Sequence, residues 1–314
     1  MFGKAGFTDV LGVSRRLGIS GFLIFCLWSM GQFILLGAAW LAAAVGEPVR
    51  RVGLFAWARM VREAMADLLP FSQIGGIVGG ARTLIVAGIP QARVHGSLVV
   101  DMTTEMAAQL VYTLFGLALM ASLLIDNGTA VALRPTILGG TGVMVGLILF
   151  FFVAQRSALD LTARIAGHFL PGSVTAIAEI RAELVRIYAC RGRVALAFAF
   201  NLAGWVASGA GAWIVLRLMD VPISFWDVLS LESLIFTLRS IAFVIPGALG
   251  VQEAAYMLAA PLFGLPPESA LALSLAKRAR DLALGLPTLL LWQIAEVRAA
   301  YRLKLATGAG RESL

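Results

Sequence analysis

The chain has 314 residues, of which 60% are hydrophobic and 14% charged, and its mean hydropathy is +0.88. A soluble domain carries roughly 25% charged residues, so the composition excludes a water-soluble globular protein and leaves no space for a large soluble domain. The net charge of +7 then belongs to cytoplasmic loops, or to contact with anionic head groups, and not to nucleic-acid binding.

Residues 1–17 form a polar lead with Lys4, Arg15 and Arg16, and residues 19–45 are uncharged and long enough to span. No small-residue cleavage site precedes that run, and it is too long for the core of a signal peptide. The first helix is therefore expected to stay in the membrane. Residues 49–69 carry Arg50, Arg51, Arg59, Arg62, Glu63 and Asp67, too many charges for a helix surrounded by lipid. Arg59, Arg62 and Glu63 share one helical face at i, i+3 and i+4. Two readings fit this segment: an interfacial amphipathic helix, or one arm of a re-entrant hairpin whose charged face lines a cavity. Pro70 ends the arm. Gly75-Gly76 and Gly79-Gly80 follow, and residues 77–89 are too few to cross, which makes them the return arm. A long helix from about 94 to 125 crosses next, with Asp101 and Glu105 on one face near its start.

Residues 137–154 cross again, and 155–193 form a basic amphipathic linker with Arg156, Arg164, Arg181, Arg186, Arg191 and Arg193. The pattern then recurs. Residues 194–219 cross, 225–245 hold Glu232 and Arg239 and run into Pro246, and 247–263 return. Residues 268–300 form a second long helix bearing Lys277, Arg278, Arg280 and Asp281. At one offset of 176 residues Pro70 answers Pro246, Gly88 answers Gly264, Pro90 answers Pro266 and Glu105 answers Asp281. Coincident breakers and an acid at a single offset indicate an internal repeat of the kind found in membrane transporters.

Parity relates the two copies. A hairpin that enters and leaves on one side adds no crossing, so with the helix at 137–154 an odd number of crossings separates equivalent points. The repeats are expected to be inverted. The expected fold is an all-α polytopic membrane protein with two inverted repeats, each with long spanning helices and a re-entrant hairpin. Its parts are a lead (1–17), a first repeat (18–125), an extra helix with linker (126–193), a second repeat (194–301) and a tail (302–314). Loop charge favours a cytoplasmic C-terminus and an external N-terminus, against which the basic residues of the lead count.

Cys26 and Cys190 lie in unrelated contexts, which argues against a disulfide framework, and with His95 and His168 the only histidines no metal centre is expected. No cofactor is expected either. The serine elbow, spaced aspartates and paired histidines of intramembrane enzymes are absent from the sequence.

Pro246-Gly247-Ala248-Leu249-Gly250-Val251-Gln252-Glu253-Ala254-Ala255, followed by Gly264-Leu265-Pro266 and Lys277-Arg278, resembles the signature of the lysylphosphatidylglycerol synthase transmembrane region, or flippase-like, family. Pro70, Gly75-Gly76 and Arg82 match its first-repeat pattern, and 57–76 is similar to the subgroup associated with hopanoid biosynthesis. The likeness spans about residues 20–300. Ile77 stands where many relatives carry an acid, so no role for that acid carries over. The transferase of the family's namesake is a separate soluble domain. The resemblance therefore implies lipid movement and not lipid synthesis, in a multi-pass protein of the bacterial inner membrane.

Glu253 has two readings: a helix-start acid facing the N-terminal dipole after Pro246 and Gly250, or a gating acid in the cavity. Arg59, Arg62, Arg82, Arg239, Lys277, Arg278 and Arg280 either pair with Glu63, Asp101, Glu105 and Asp281, or present donors to a phosphate or carboxylate head group. Asp101 is expected to pair with Lys277 where the two long helices meet near the pseudo-axis. The breaks at Pro70, Gly75 and Gly76, and at Pro246, Gly247 and Gly250, are expected at the hairpin tips. Trp28, Trp40, Trp57 and Trp292 are expected at membrane interfaces. Two other roles suit the same residues: a scaffold in a lipid-biosynthesis complex, or a carrier of a small polar solute. Expected partners are membrane lipids, with lipid-synthesis enzymes or a second copy of the chain as further candidates.

Overall fold

The computed structural model of the protein describes residues 7–69, 72–124, 173–241 and 250–309, and every described regular element is helical. Helix α1 (Phe7–Ala43) is interrupted at Gly18, whose backbone (φ 60°, ψ 177°) is not helical. The break falls at the junction between the polar lead and the apolar span. A short 3₁₀ turn (Val49–Arg51) leads into α2 (Val52–Leu68). Helix α3 (Ser72–Val86) packs back on α2, so the reading of a hairpin broken at Pro70 holds for the described arms. Pro70, the helix at 137–154, Pro246 and Gly247 lie outside the described residues.

Helix α4 (Gln91–Leu124) follows, then α5 (Ser173–Ala189), α6 (Arg191–Leu218) and α7 (Phe225–Ile241). The chain closes with α8 (Val251–Ala259), a 3₁₀ turn (Ala260–Phe263) and α9 (Pro267–Ala309). Among the described residues, Gly12–Ala43, Arg191–Leu218 and Pro267–Ala299 are long and apolar enough to cross a membrane. The expected spans at 19–45, 194–219 and 268–300 coincide with them.

Two turns repeat atom for atom at the 176-residue offset. Gly88 (φ 86°) donates its N–H to Ile85 O, and Ile89 N–H reaches back to Leu84 O. Gly264 (φ 67°) donates to Pro261 O, and Leu265 to Ala260 O. Both glycines stand in the left-handed region at a helix end, where a side chain would be strained. Pro90 and Pro266 each follow two residues after the glycine, and the next helix starts at the residue after.

Helices α1 and α6 lie side by side and antiparallel. Arg193 Nη2, at the start of α6, donates 3.0 Å to Leu41 O near the end of α1. Midway, Trp28 Nε1 donates 2.7 Å to Ala207 O. At the far end Leu17 shares a buried cluster with Met219. The packing of the other helices is reciprocal. Helix α2 packs on α9 and α7 on α4; α1 packs on α9 and α6 on α4; α1 packs on α2 and α6 on α7. The apposed pair is therefore α1 with α6. Helices α4 and α9 instead grip the hairpin of the opposite half, which corrects the expectation that they meet each other near the pseudo-axis.

Glycines set the closest approaches. A Cβ on Gly37 of α1 would stand 2.4 Å from the Ala56 backbone of α2, and one on Gly76 of α3 would stand 2.4 Å from Arg62 O. Gly76 is thus a packing residue at which α3 meets α2, whereas Gly75 faces open space. One end of the bundle is gathered by charge. Glu47 accepts from Arg51 at 2.7 Å and from Arg93 at 2.6 Å, and Arg186 donates 2.7 Å to Val45 O. Arg50 and Arg191 lie at the same end, while Asp220, Asp227 and Glu268 mark the other.

Candidate functional site

Helical spacing places Arg59, Arg62 and Glu63 together on α2, and Asp101 and Glu105 together on α4. The structure brings the two sets into one buried cluster. Arg59 is 1% exposed and Asp101 is fully buried. Arg59 Nη1 donates 2.9 Å to Asp101 Oδ2 and Nη2 donates to Glu105; its Nε lies 3.1 Å from Glu63. Arg62 Nη1 donates 3.2 Å to Asp101 and Nη2 2.9 Å to Glu105. The two guanidinium forks therefore clamp both carboxylates, which is the strong form of such pairing. Asn201 of α6 completes the shell, donating 3.3 Å to Asp101 Oδ1 and 3.1 Å to Thr104 Oγ1. The sequence reading missed Asn201, although a lone amide in the charge-free run 194–216 was a visible signal.

The second cluster lies in the other half of the chain, and its signs are reversed. Lys277 of α9 donates 2.6 Å to Glu232 Oε2 of α7 and 3.0 Å to the Tyr256 hydroxyl of α8. Tyr256 in turn donates to Glu232 Oε1. All three side chains are buried. Lys277 Nζ also stands 5.0 Å from the centre of the Phe236 ring, within cation–π range. This corrects the expected pairing of Asp101 with Lys277: Asp101 is held by Arg59 and Arg62, and Lys277 by Glu232. Each long helix takes its ion partner from the first arm of its own half's hairpin, so the two acid–base pairs stay separate even though the long helices pack on the opposite hairpins.

Depth follows from the helical rise of about 1.5 Å per residue. Arg59 and Asp101 lie about 10 and 15 Å in from the starts of α2 and α4 at the arginine-rich end. Glu232 and Lys277 lie about 10 and 15 Å in from the starts of α7 and α9 at the opposite end. Between the clusters, α1, α2 and α9 enclose a cleft of about 30 Å³ lined by Glu63, Asp67, Arg280 and Asp281 among apolar side chains. That volume holds a water molecule or two. Arg280 donates 2.5 Å to Asp281 there, and its guanidinium stacks 5.2 Å from the Phe25 ring.

The remaining expected residues are dispersed. Glu253 Oε2 accepts from the Gly250 N–H at 2.8 Å, and Oε1 from Arg278 Nε at 3.3 Å. The helix-start reading of Glu253 is thus borne out, with Gly250 (φ 79°) as the cap. Arg82 is 57% exposed and donates 2.7 Å to Glu296, away from both clusters. The side chain of Arg239 lies outside the described residues. Trp40 is fully buried, donates to Ser97 Oγ and packs edge-on against Phe55, so it is a core residue and not an interfacial anchor. Cys26 and Cys190 are free thiols, and no carboxylate, histidine or cysteine grouping suited to a metal occurs among the described residues.

An apolar groove of about 390 Å³ opens between α4, α5 and α6, with Tyr188 and Arg191 toward the arginine-rich end and Thr103 and Thr104 deeper. Its inner end reaches Thr104, which touches the first cluster through Asn201. The family model of the lysylphosphatidylglycerol synthase TM region matches residues 1–288. Searches of curated proteins and of solved structures each return no match.

Proposed function

The chain belongs to the lysylphosphatidylglycerol synthase transmembrane-region family, a membrane protein family tied to lipid, and we propose that it moves an amphipathic lipid between leaflets of the bacterial inner membrane. The lipid is of phospholipid or hopanoid type, and the chain is a transporter and not an enzyme. One observation carries this reading: two buried acid–base clusters with exchanged polarity lie in the two halves of the chain, with a small cleft lined by Glu63, Asp67, Arg280 and Asp281 between them. A charge at the centre of a bilayer costs about 2.5–3.5 kcal/mol on insertion scales. Apolar packing often stabilises a fold as well as a buried ion pair does. Charges retained in both halves therefore fit gates that must open to a polar group.

The reciprocal packing and the antiparallel α1–α6 pair support an inverted repeat, the arrangement in which two halves rock past each other. The groove between α4, α5 and α6 gives an acyl chain a lateral route beside the cluster of Arg59 and Asp101. The arginine-rich end takes the cytoplasmic side by the positive-inside rule, which places the C-terminus inside. With the cleft holding a water molecule or two, the space among the described residues between the clusters is too small for a head group, and in this reading movement requires one cluster to part.

The test is leaflet exchange of a labelled lipid in proteoliposomes. Wild type should exceed empty liposomes clearly. Arg62→Ala and Arg278→Ala should slow exchange while the protein still elutes as a folded species. Unchanged exchange in both variants defeats the gating mechanism. No exchange by wild type with anionic, zwitterionic or hopanoid lipid defeats transport and favours a scaffold in a lipid-biosynthesis complex.

A further inference from the structure

We propose that Glu232, Tyr256 and Lys277 form a proton-binding site that couples opening of the second cluster to proton uptake. The proposal rests on the transport reading and assigns what drives it. The two clusters share a place in the fold but not a chemistry. In the first, the bases are guanidiniums, which hold their protons at any accessible pH. In the second, the cation is a lysine, a single ammonium in place of a guanidinium fork, and a phenol bridges it and the acid.

The geometry is a closed ring. Lys277 Nζ lies 2.6 Å from Glu232 Oε2 and 3.0 Å from the Tyr256 oxygen, and that oxygen bonds Glu232 Oε1. Each group is in hydrogen-bond contact with the other two, so a proton can be redistributed among them with little side-chain motion. In the structure the carboxylate is satisfied on both oxygens by donors. An added proton goes to a Glu232 oxygen, takes the site from zero to one positive charge, and replaces the ion pair by an O–H donor. One donor must then turn away, from Lys277 of α9 or Tyr256 of α8. The contact that ties α7 to α8 and α9 is the one that weakens.

Other charged and titratable groups among the described residues face the site. Tyr112 of α4, which donates 3.2 Å to Leu229 O, and Arg280 of α9 both feel the charge of Glu232. Glu253 and Arg278 pair with each other next to Ser274, on the adjoining surfaces of α8 and α9. Helix α7 itself carries Asp227 at its start, and Arg239 seven residues beyond Glu232, with its side chain outside the described residues. Glu253, the acid that the sequence points to first, is engaged as a helix cap and is less buried than Glu232.

Two measurements test this. In pH-difference infrared spectra of the purified protein, wild type should show a protonated-carboxyl band that Glu232→Gln removes and Asp101→Asn keeps. In proteoliposomes, coupling of one proton to one lipid should skew the leaflet distribution about tenfold per pH unit of imposed gradient. Whatever exchange Glu232→Gln retains should not respond to the gradient. A band that survives Glu232→Gln, or a wild type that exchanges lipid with no response to the gradient, overturns the proposal and leaves the transport reading intact. A band lost in Glu232→Gln upholds proton binding even if no lipid moves, and the transport reading then falls alone. Should that variant not fold, Tyr256→Phe keeps the ion pair and should shift the pH midpoint of the band; an unmoved midpoint overturns the proposal.

Discussion

Asp101 and Lys277 occupy the same position in two units of chain 176 residues apart, and they carry opposite charges. Each lies ten residues into a long helix. Each is held by a partner of the other sign from the first arm of its own hairpin, Arg59 for Asp101 and Glu232 for Lys277. The two halves thus keep the contact while exchanging its polarity, and the predictions below follow from that arrangement.

Arg59→Ala should be strongly destabilising, because it leaves fully buried Asp101 short of a cation. Removing one partner of a buried pair costs about 3–5 kcal/mol. Thermal unfolding in detergent, followed by fluorescence-detected size exclusion, should show the loss, and Arg59→Lys should not restore it because an ammonium cannot fork to two carboxylates. An unfolding temperature equal to wild type in Arg59→Ala would refute the clamp.

Lys277→Met and Glu232→Gln should be coupled. Each single change strands a buried partner, while the double variant strands neither, so a cycle should return an interaction of about 0.5–3 kcal/mol. Additive losses would mean that the two side chains do not support each other.

Glycine substitutions should separate by position. Gly37→Ala and Gly76→Ala force a methyl into backbone at 2.4 Å, and overpacking of this kind costs about 1–3 kcal/mol. Gly75→Ala, one residue away, meets nothing within 4 Å and should stay within about 0.5 kcal/mol of wild type. Equal effects at 75 and 76 would contradict the closeness of α2 and α3.

The two ends should face opposite compartments. With Cys26 and Cys190 replaced by serine, cysteines at Arg50 and Arg181 should react with an impermeant maleimide only from the cytoplasmic side. Cysteines at Asp227 and Glu268 should react only from the other side. Labelling of all four from one side would exclude the topology.

The helical class, the long spans and the broken hairpin arms were legible because charge and proline interrupt apolar runs at fixed places. The turns at Gly88 and Gly264 were legible for the same reason: one residue type tolerates that backbone, and the offset repeats it. The α2–α4 side of the first cluster could be guessed from i, i+4 spacing. Partner choice could not. That Asp101 selects Arg59 and Lys277 selects Glu232 depends on which helices touch, and Asn201 entered the shell from a helix that spacing alone does not bring near. Trp40 misled because its flank looks interfacial, while its ring meets Phe55 and Ser97 inside.

The grip of α9 on α2 has a consequence for the order of biosynthesis. Asp101 leaves the ribosome 42 residues after Arg59, so the charges of the first hairpin are neutralised early. The apolar cover that Gly285 of α9 presents to Leu68 and Ala64 of α2 comes some 220 residues behind. At about 5–20 residues per second of synthesis, the hairpin waits on the order of 10–40 s with that flank turned to the insertion machinery or to lipid.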